Sequence, residues 1–179
     1  MGNKGHDSFR VYFDFLRFCL EEDCKIPDNL NEIDWDKLYL FGKKQAIIGV
    51  LFYGIKKLPD SVPHPNRTQI FKWYSTSLLI EKANRQVYKD AVALTKLFKE
   101  RFGVRSCVLK GQTNALMYPE PYMRTPGDID LWTDAKTIDL IRYSRSLDDR
   151  GEIGYHHIEL SYFKTPVELH FFPSFMGNL

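Results

Sequence analysis

The chain has few cysteines, no long apolar run and almost no net charge. Its three cysteines, Cys19, Cys24 and Cys107, are an odd set with no Cys-x-x-Cys spacing. That argues against a disulfide framework and against a cysteine-built zinc site, and it points to a reducing, cytoplasmic compartment. Apolar stretches such as residues 47–53 fall far short of the roughly 20 residues that a membrane-spanning helix needs. The polar N-terminus has no signal-peptide core, and Met1-Gly2-Asn3-Lys4-Gly5-His6 lacks the Ser or Thr of a myristoylation signal. A formal net charge of +2 gives no global pointer to a nucleic-acid partner. Internal repeats and low-complexity segments are also missing.

What is present is the composition of a globular protein, 44% hydrophobic and 15% aromatic. Apolar positions recur at helical spacing over 7–20, including Val11, Tyr12, Phe15, Leu16 and Cys19. Asp34 can cap a second helix that carries Trp35, Leu38, Tyr39 and Phe41 and continues through Ile47, Ile48 and Leu51, with glycines 42, 49 and 54 as weak points. A proline-rich connector over 58–65 leads to the longest expected helix, 69–101. One stripe of it is apolar, and Lys82, Arg85, Lys89, Lys96 and Lys99 form a solvated face.

After Gly103 the character changes. Residues 105–109 read as a buried strand, Lys110-Gly111-Gln112 as a turn into a short helix ending near Tyr118, and 119–126 as a proline-rich loop. A strand over 128–133 follows, then a helix capped by Asp134, then strands over about 155–163 and 166–172. The first half is thus helical, while the second alternates strands with helices.

In the 128–133 strand, Asp128 and Asp130 alternate with Ile129 and Leu131, so both carboxylates share one face. Neighbouring unpaired carboxylates repel, and a hard dication such as Mg²⁺ relieves the repulsion while keeping positions open for water and phosphate. In the last strand, Glu168 and His170 lie opposite Val167, Leu169 and Phe171. If that strand lies beside the acidic one, Glu168 becomes a third carboxylate, and three can hold two Mg²⁺ ions about 3.5–4 Å apart. Gly111 lets a phosphate approach the backbone, with Lys110 adding positive charge. Arg124 is as much a candidate phosphate contact as an ion-pair partner of Asp128 or Glu120. His156 and His157, at adjacent strand positions, are expected to point to opposite faces and to be core or hydrogen-bonded residues. His170 is the better candidate for substrate contact or for orienting a carboxylate. Tyr122 and Trp132 could stack on a base, with packing as the default.

The order Val108-Leu109-Lys110-Gly111, Tyr118-Pro119, Met123-Arg124, Gly127-Asp128-Ile129-Asp130-Leu131, His156-His157 and Val167-Glu168-Leu169-His170 resembles the uncharacterised bacterial nucleotidyltransferases. These form a branch of the DNA polymerase β-like nucleotidyltransferase superfamily. The resemblance is specific over about 105–172. It implies an α/β (α+β) fold with a mixed sheet, an N-terminal helical region over 1–102 and a nucleotidyltransferase core over 103–179, packed together as one compact unit. It further implies a two-metal mechanism in which Asp128, Asp130 and Glu168 hold two Mg²⁺ (or Mn²⁺) ions. Lys110, Gly111, Gln112 and Arg124 would contact the nucleotide. Gln112 stands where the broader family often has Ser. The substrate would be an NTP, ATP by preference, and the acceptor an unidentified small molecule or protein, with no membrane partner and nucleic acid not favoured. Relatives usually continue into a further helical region after the third carboxylate. The alternative is therefore a non-catalytic nucleotide-binding or interaction module that retains the fold.

Overall fold

The computed structural model describes residues 4–173, with side chains from residue 9 onward. Met1, Gly2 and Asn3 of the segment considered for acylation lie outside them. Helices α1 (Lys4–Leu20), α2 (Trp35–Lys44), α3 (Ile48–Lys57) and α4 (Arg67–Phe102) precede β1 (Ser106–Val108), α5 (Gln112–Ala115), β2 (Ile129–Thr133), α6 (Thr137–Leu147), β3 (His157–Leu160) and β4 (Val167–His170). Internal contacts group the chain into two compact units, Met1–Asn84 with Ala115–Thr125, and Arg85–Asn114 with Pro126–Leu179. The division falls inside α4. Trp73 and Ile80 belong to the core of the helical unit, whereas Val87, Ala91, Leu94 and Phe98 belong to the core of the sheet unit.

In the helical unit, Asp34 caps α2 as its spacing predicts, its carboxylate accepting from the amides of Asp36 and Lys37. The hydrogen bond from the Lys37 amide leads the causes that lower the Asp34 pKa. The expected continuous second helix is two helices. Ala46 adopts φ 56°, the Ile47 amide bonds back to the Gly42 carbonyl, and the Ala46 amide bonds to the Lys43 carbonyl. This pair of bonds terminates a helix in the Schellman manner, with alanine in the left-handed position that glycine usually fills. The chain then restarts as α3. Phe15, Leu38, Leu51 and Trp73 are fully buried around these helices.

In the sheet unit the strand order is β1-β2-β4-β3, with β2 and β4 parallel and the other pairings antiparallel. Ile129 and Leu131 of β2 and Val167 and Leu169 of β4 turn to the core, where all four are essentially inaccessible. Burying each contributes about 1.5–3 kcal/mol. Phe102 stacks on Tyr143 at 4.3 Å, joining the end of α4 to α6. Cys107 is exposed and not buried as the apolar run suggested, because its register partner is Trp132, on the sheet face turned away from the core. Asp134 does not cap α6, whose N-cap is Lys136. Its carboxylate accepts instead from the Nε and the amide of Arg105, and these bonds lower its pKa.

Among the described residues, no helix is long and apolar enough to cross a membrane.

Candidate functional site

The parallel pairing of β2 with β4 brings the acidic residues together. Asp130 is the register partner of Glu168, and His170 pairs with His157 across the neighbouring antiparallel ladder. The pleat that sends Ile129, Leu131, Val167 and Leu169 into the core sends Asp130, Glu168 and His170 to the other face. His170 Nε2 lies 2.9 Å from Asp130 Oδ1 and 3.4 Å from Glu168 Oε2. Asp130 is only 3% exposed and His170 7%. One ligand atom from each of Asp130, Glu168 and His170 falls within 4.8 Å of the other two.

Lys110 closes this group. Its Nζ is 2.6 Å from Asp130 Oδ1, although the side chain is 58% exposed. The hydrogen bond to Asp130 raises the lysine pKa, burial opposes the rise, and the charges of Asp130, Glu168 and Asp128 add to it. The same ammonium therefore feels all three carboxylates. Asp128 sits one residue before β2 and lines a cavity of about 160 Å³ with Glu159, Glu168 and Pro166.

The turn that carries Lys110 runs alongside the acidic strand, its Leu109 amide bonded to the Asp130 carbonyl at 2.9 Å. Gly111 has φ 67°, a left-handed conformation suited to glycine, and faces the Asp128 carbonyl. The helix that follows is a single turn and does not reach Tyr118. Gln112 is 5% exposed, and neither end of its side-chain amide has a hydrogen-bond partner among the described residues.

Other expected residues fall differently. Arg124 belongs to the helical unit, where its Nη1 is buried without a hydrogen-bond partner among the described residues. His156 and His157 do not point to opposite faces. His156 precedes β3, so strand alternation does not govern it, and its Nε2 lies 3.1 Å from His157 Nδ1. Both rings come within 6 Å of the His170 ring, at 5.7 and 5.8 Å between centroids. His157 Nδ1 is also 3.6 Å from Glu168 Oε2.

Asp90 on α4 is a positioning residue that sequence reasoning missed. Its buried carboxylate accepts from the Thr165 amide at 3.1 Å and the Thr165 hydroxyl at 2.8 Å, and Gln86 Nε2 donates to its other oxygen at 2.8 Å. The next residue, Pro166, accepts the Ile129 amide at 2.9 Å. Asp90 thereby pins the start of β4 beside the start of β2. The available signal was a carboxylate one turn after Gln86, within the apolar stripe formed by Val87, Ala91 and Leu94.

An α+β unit that gathers carboxylates and an imidazole on adjacent strands beside a lysine-glycine turn has the layout of a nucleotidyl-transfer domain. The family described as uncharacterised nucleotidyltransferase matches residues 31–173, and the chain belongs to it. The mixed four-stranded sheet with preceding helices is consistent with that fold. No curated protein and no solved structure matches the chain.

Proposed function

We propose that the sheet unit transfers a nucleoside monophosphate from an NTP, ATP by preference, to an acceptor hydroxyl on a small molecule or protein. Asp128, Asp130 and Glu168 would hold two divalent cations, Mg²⁺ or Mn²⁺. The observation that carries this reading is the pairing of Asp130 with Glu168 across β2 and β4, with Asp128 lining the same cavity as Glu168. The donor set fits hard dications, since carboxylate oxygens are their preferred ligands. The buried, unpartnered Gln112 amide fits a ligand as well, because an unsatisfied buried amide costs about 1–3 kcal/mol and a phosphate oxygen can accept from its Nε2.

When bound, the cations stabilise charge on the transferring phosphate and acidify the attacking hydroxyl. Lys110, on a flexible and largely exposed stem, leaves Asp130 and turns its ammonium to the phosphates. Gly111 admits them close to its backbone. The acceptor oxygen bonds to the α-phosphorus, the bond from that phosphorus to the bridging oxygen breaks, and pyrophosphate leaves. Glu168, with a side chain 27% exposed against 4% for Asp130, accepts the acceptor proton. His170 orients the Asp130 carboxylate through its 2.9 Å contact until a cation takes up that oxygen.

The test is transfer of label from α-³²P NTPs to a panel of acceptors, with pyrophosphate release followed in parallel. Asp130→Asn and Glu168→Gln should each lower transfer by at least about a hundredfold while leaving the far-ultraviolet circular dichroism unchanged. Equal rates in the variants would overturn the assignment. Metal-dependent NTP binding without transfer or pyrophosphate release would instead identify a non-catalytic nucleotide-binding module.

A further inference from the structure

Among the described residues, the donor atoms that cluster most closely in the sheet unit are not three carboxylates. They are two carboxylates and an imidazole, from Asp130, Glu168 and His170. Two ligands bound at about 2.1 Å to one ion lie about 3.0 Å apart at adjacent octahedral positions and about 3.4 Å apart in a tetrahedron. The observed separations from His170 Nε2 are 2.9 Å to Asp130 Oδ1 and 3.4 Å to Glu168 Oε2. These are distances that one ion could span with small side-chain adjustments.

Position and burial favour the same use of the ring. His170 ends β4 on the carboxylate face, held by the ladder to β2 on one side and to β3 on the other. Asp130 and His170 are both more than nine-tenths buried. The cation now beside them is the Lys110 ammonium, whose largely exposed stem can withdraw without disturbing the sheet. Asp128 lies outside the three-ligand group.

Imidazole nitrogen suits first-row transition metals, whereas Mg²⁺ prefers an all-oxygen shell. We infer that His170 is a metal ligand and that the position formed by Asp130, Glu168 and His170 takes a transition-metal dication such as Mn²⁺ in preference to Mg²⁺. This deepens the nucleotidyl-transfer reading, on which it rests, by naming the metal class of its site.

The experiment is Mn²⁺ titration of the full chain, with electron spin-echo envelope modulation of the bound ion. Wild-type protein should show ¹⁴N modulation from a coordinated imidazole and should bind Mn²⁺ at least about tenfold more tightly than Mg²⁺ in competition. His170→Gln should abolish the modulation and weaken Mn²⁺ binding about tenfold or more. His157→Gln should keep the modulation. An all-oxygen signal in wild-type protein, a signal that survives in His170→Gln, or one lost only in His157→Gln would each overturn the inference. An all-oxygen wild-type spectrum overturns the inference even if a variant fails to fold, and nitrogen modulation is assigned to His170 by its loss in His170→Gln and its survival in His157→Gln. Nitrogen-ligated Mn²⁺ without nucleotidyl transfer would refute the transfer reading and leave this metal assignment standing. Transfer by a protein whose metal has only oxygen ligands would do the reverse.

Discussion

Replacing Asp90 with alanine tests how β4 is held in place. The carboxylate is 6% exposed and accepts three hydrogen bonds, two of them from Thr165, itself 5% exposed. Truncation leaves the Thr165 amide and hydroxyl buried without an acceptor, at about 1–3 kcal/mol for each. Partial relaxation and water entry keep the total near the lower half of that sum, about 3 kcal/mol. Native-state hydrogen exchange reads this locally, and about 3 kcal/mol corresponds to exchange about two orders of magnitude faster for the β2 and β4 amides. Thr165→Val, which removes only the hydroxyl, should cost about 1 kcal/mol. The double variant should lose less than the sum of the two, because the shared bond is counted once. Exchange within about threefold of wild type in Asp90→Ala, or strict additivity with Thr165→Val, would refute the claim that this carboxylate anchors the strand.

Ala46→Gly should relieve the left-handed strain at φ 56° and raise stability by about 0.5–1 kcal/mol after the entropy cost of glycine, visible as a thermal midpoint a few degrees higher. Gly49→Ala should lower stability by about 1–3 kcal/mol in urea, because the new methyl would collide with the Met123 backbone carbonyl. Burial pushes the Cys19 thiol from its ordinary value of 9.0 up to about 12. Below pH 9 folded and unfolded chains both keep that proton, and between pH 9 and about 12 only the folded chain does, so its contribution to stability falls as pH rises through this window. Denaturation curves at about pH 8 and about pH 10.5 should show that fall, and Cys19→Ala should reduce it. At neutral pH a thiol reagent should modify exposed Cys107 quickly and Cys19 only after unfolding.

Much of this was legible wherever a local rule acts alone. The Asp34 cap and the α4 stripe follow from side-chain chemistry and helical period. The shared face of Glu168 and His170 follows from strand alternation. Prediction failed where the deciding partner was distant in sequence. Asp134 had the composition of an α6 cap, yet Arg105, 29 residues away, took its carboxylate. Cys107 looked buried because an apolar run does not reveal which face of the sheet each residue takes, and the pairing of Cys107 with Trp132 puts it on the face away from the core. The break at Ala46 lacked its usual signal because alanine stands where glycine would announce the turn. The ion pair of Lys110 with Asp130 was likewise not legible, since it depends on the turn after β1 lying beside β2, which only the strand pairing reveals.

The pairing of Asp130 with Glu168 also bears on how sequence length can vary in this fold. The two residues are 38 positions apart, and everything between them returns the chain to a parallel partner. Added residues in the segment between α6 and β3, or at the turn between β3 and β4 before Thr165, would be absorbed outside the ladder. One residue added or removed within β2 or β4 would turn Ile129 and Leu131, or Val167 and Leu169, away from the core and their polar neighbours into it. Insertions should therefore be tolerated in those connections and rejected within the two strands, so that an insertion scan would trace the site as two short forbidden intervals.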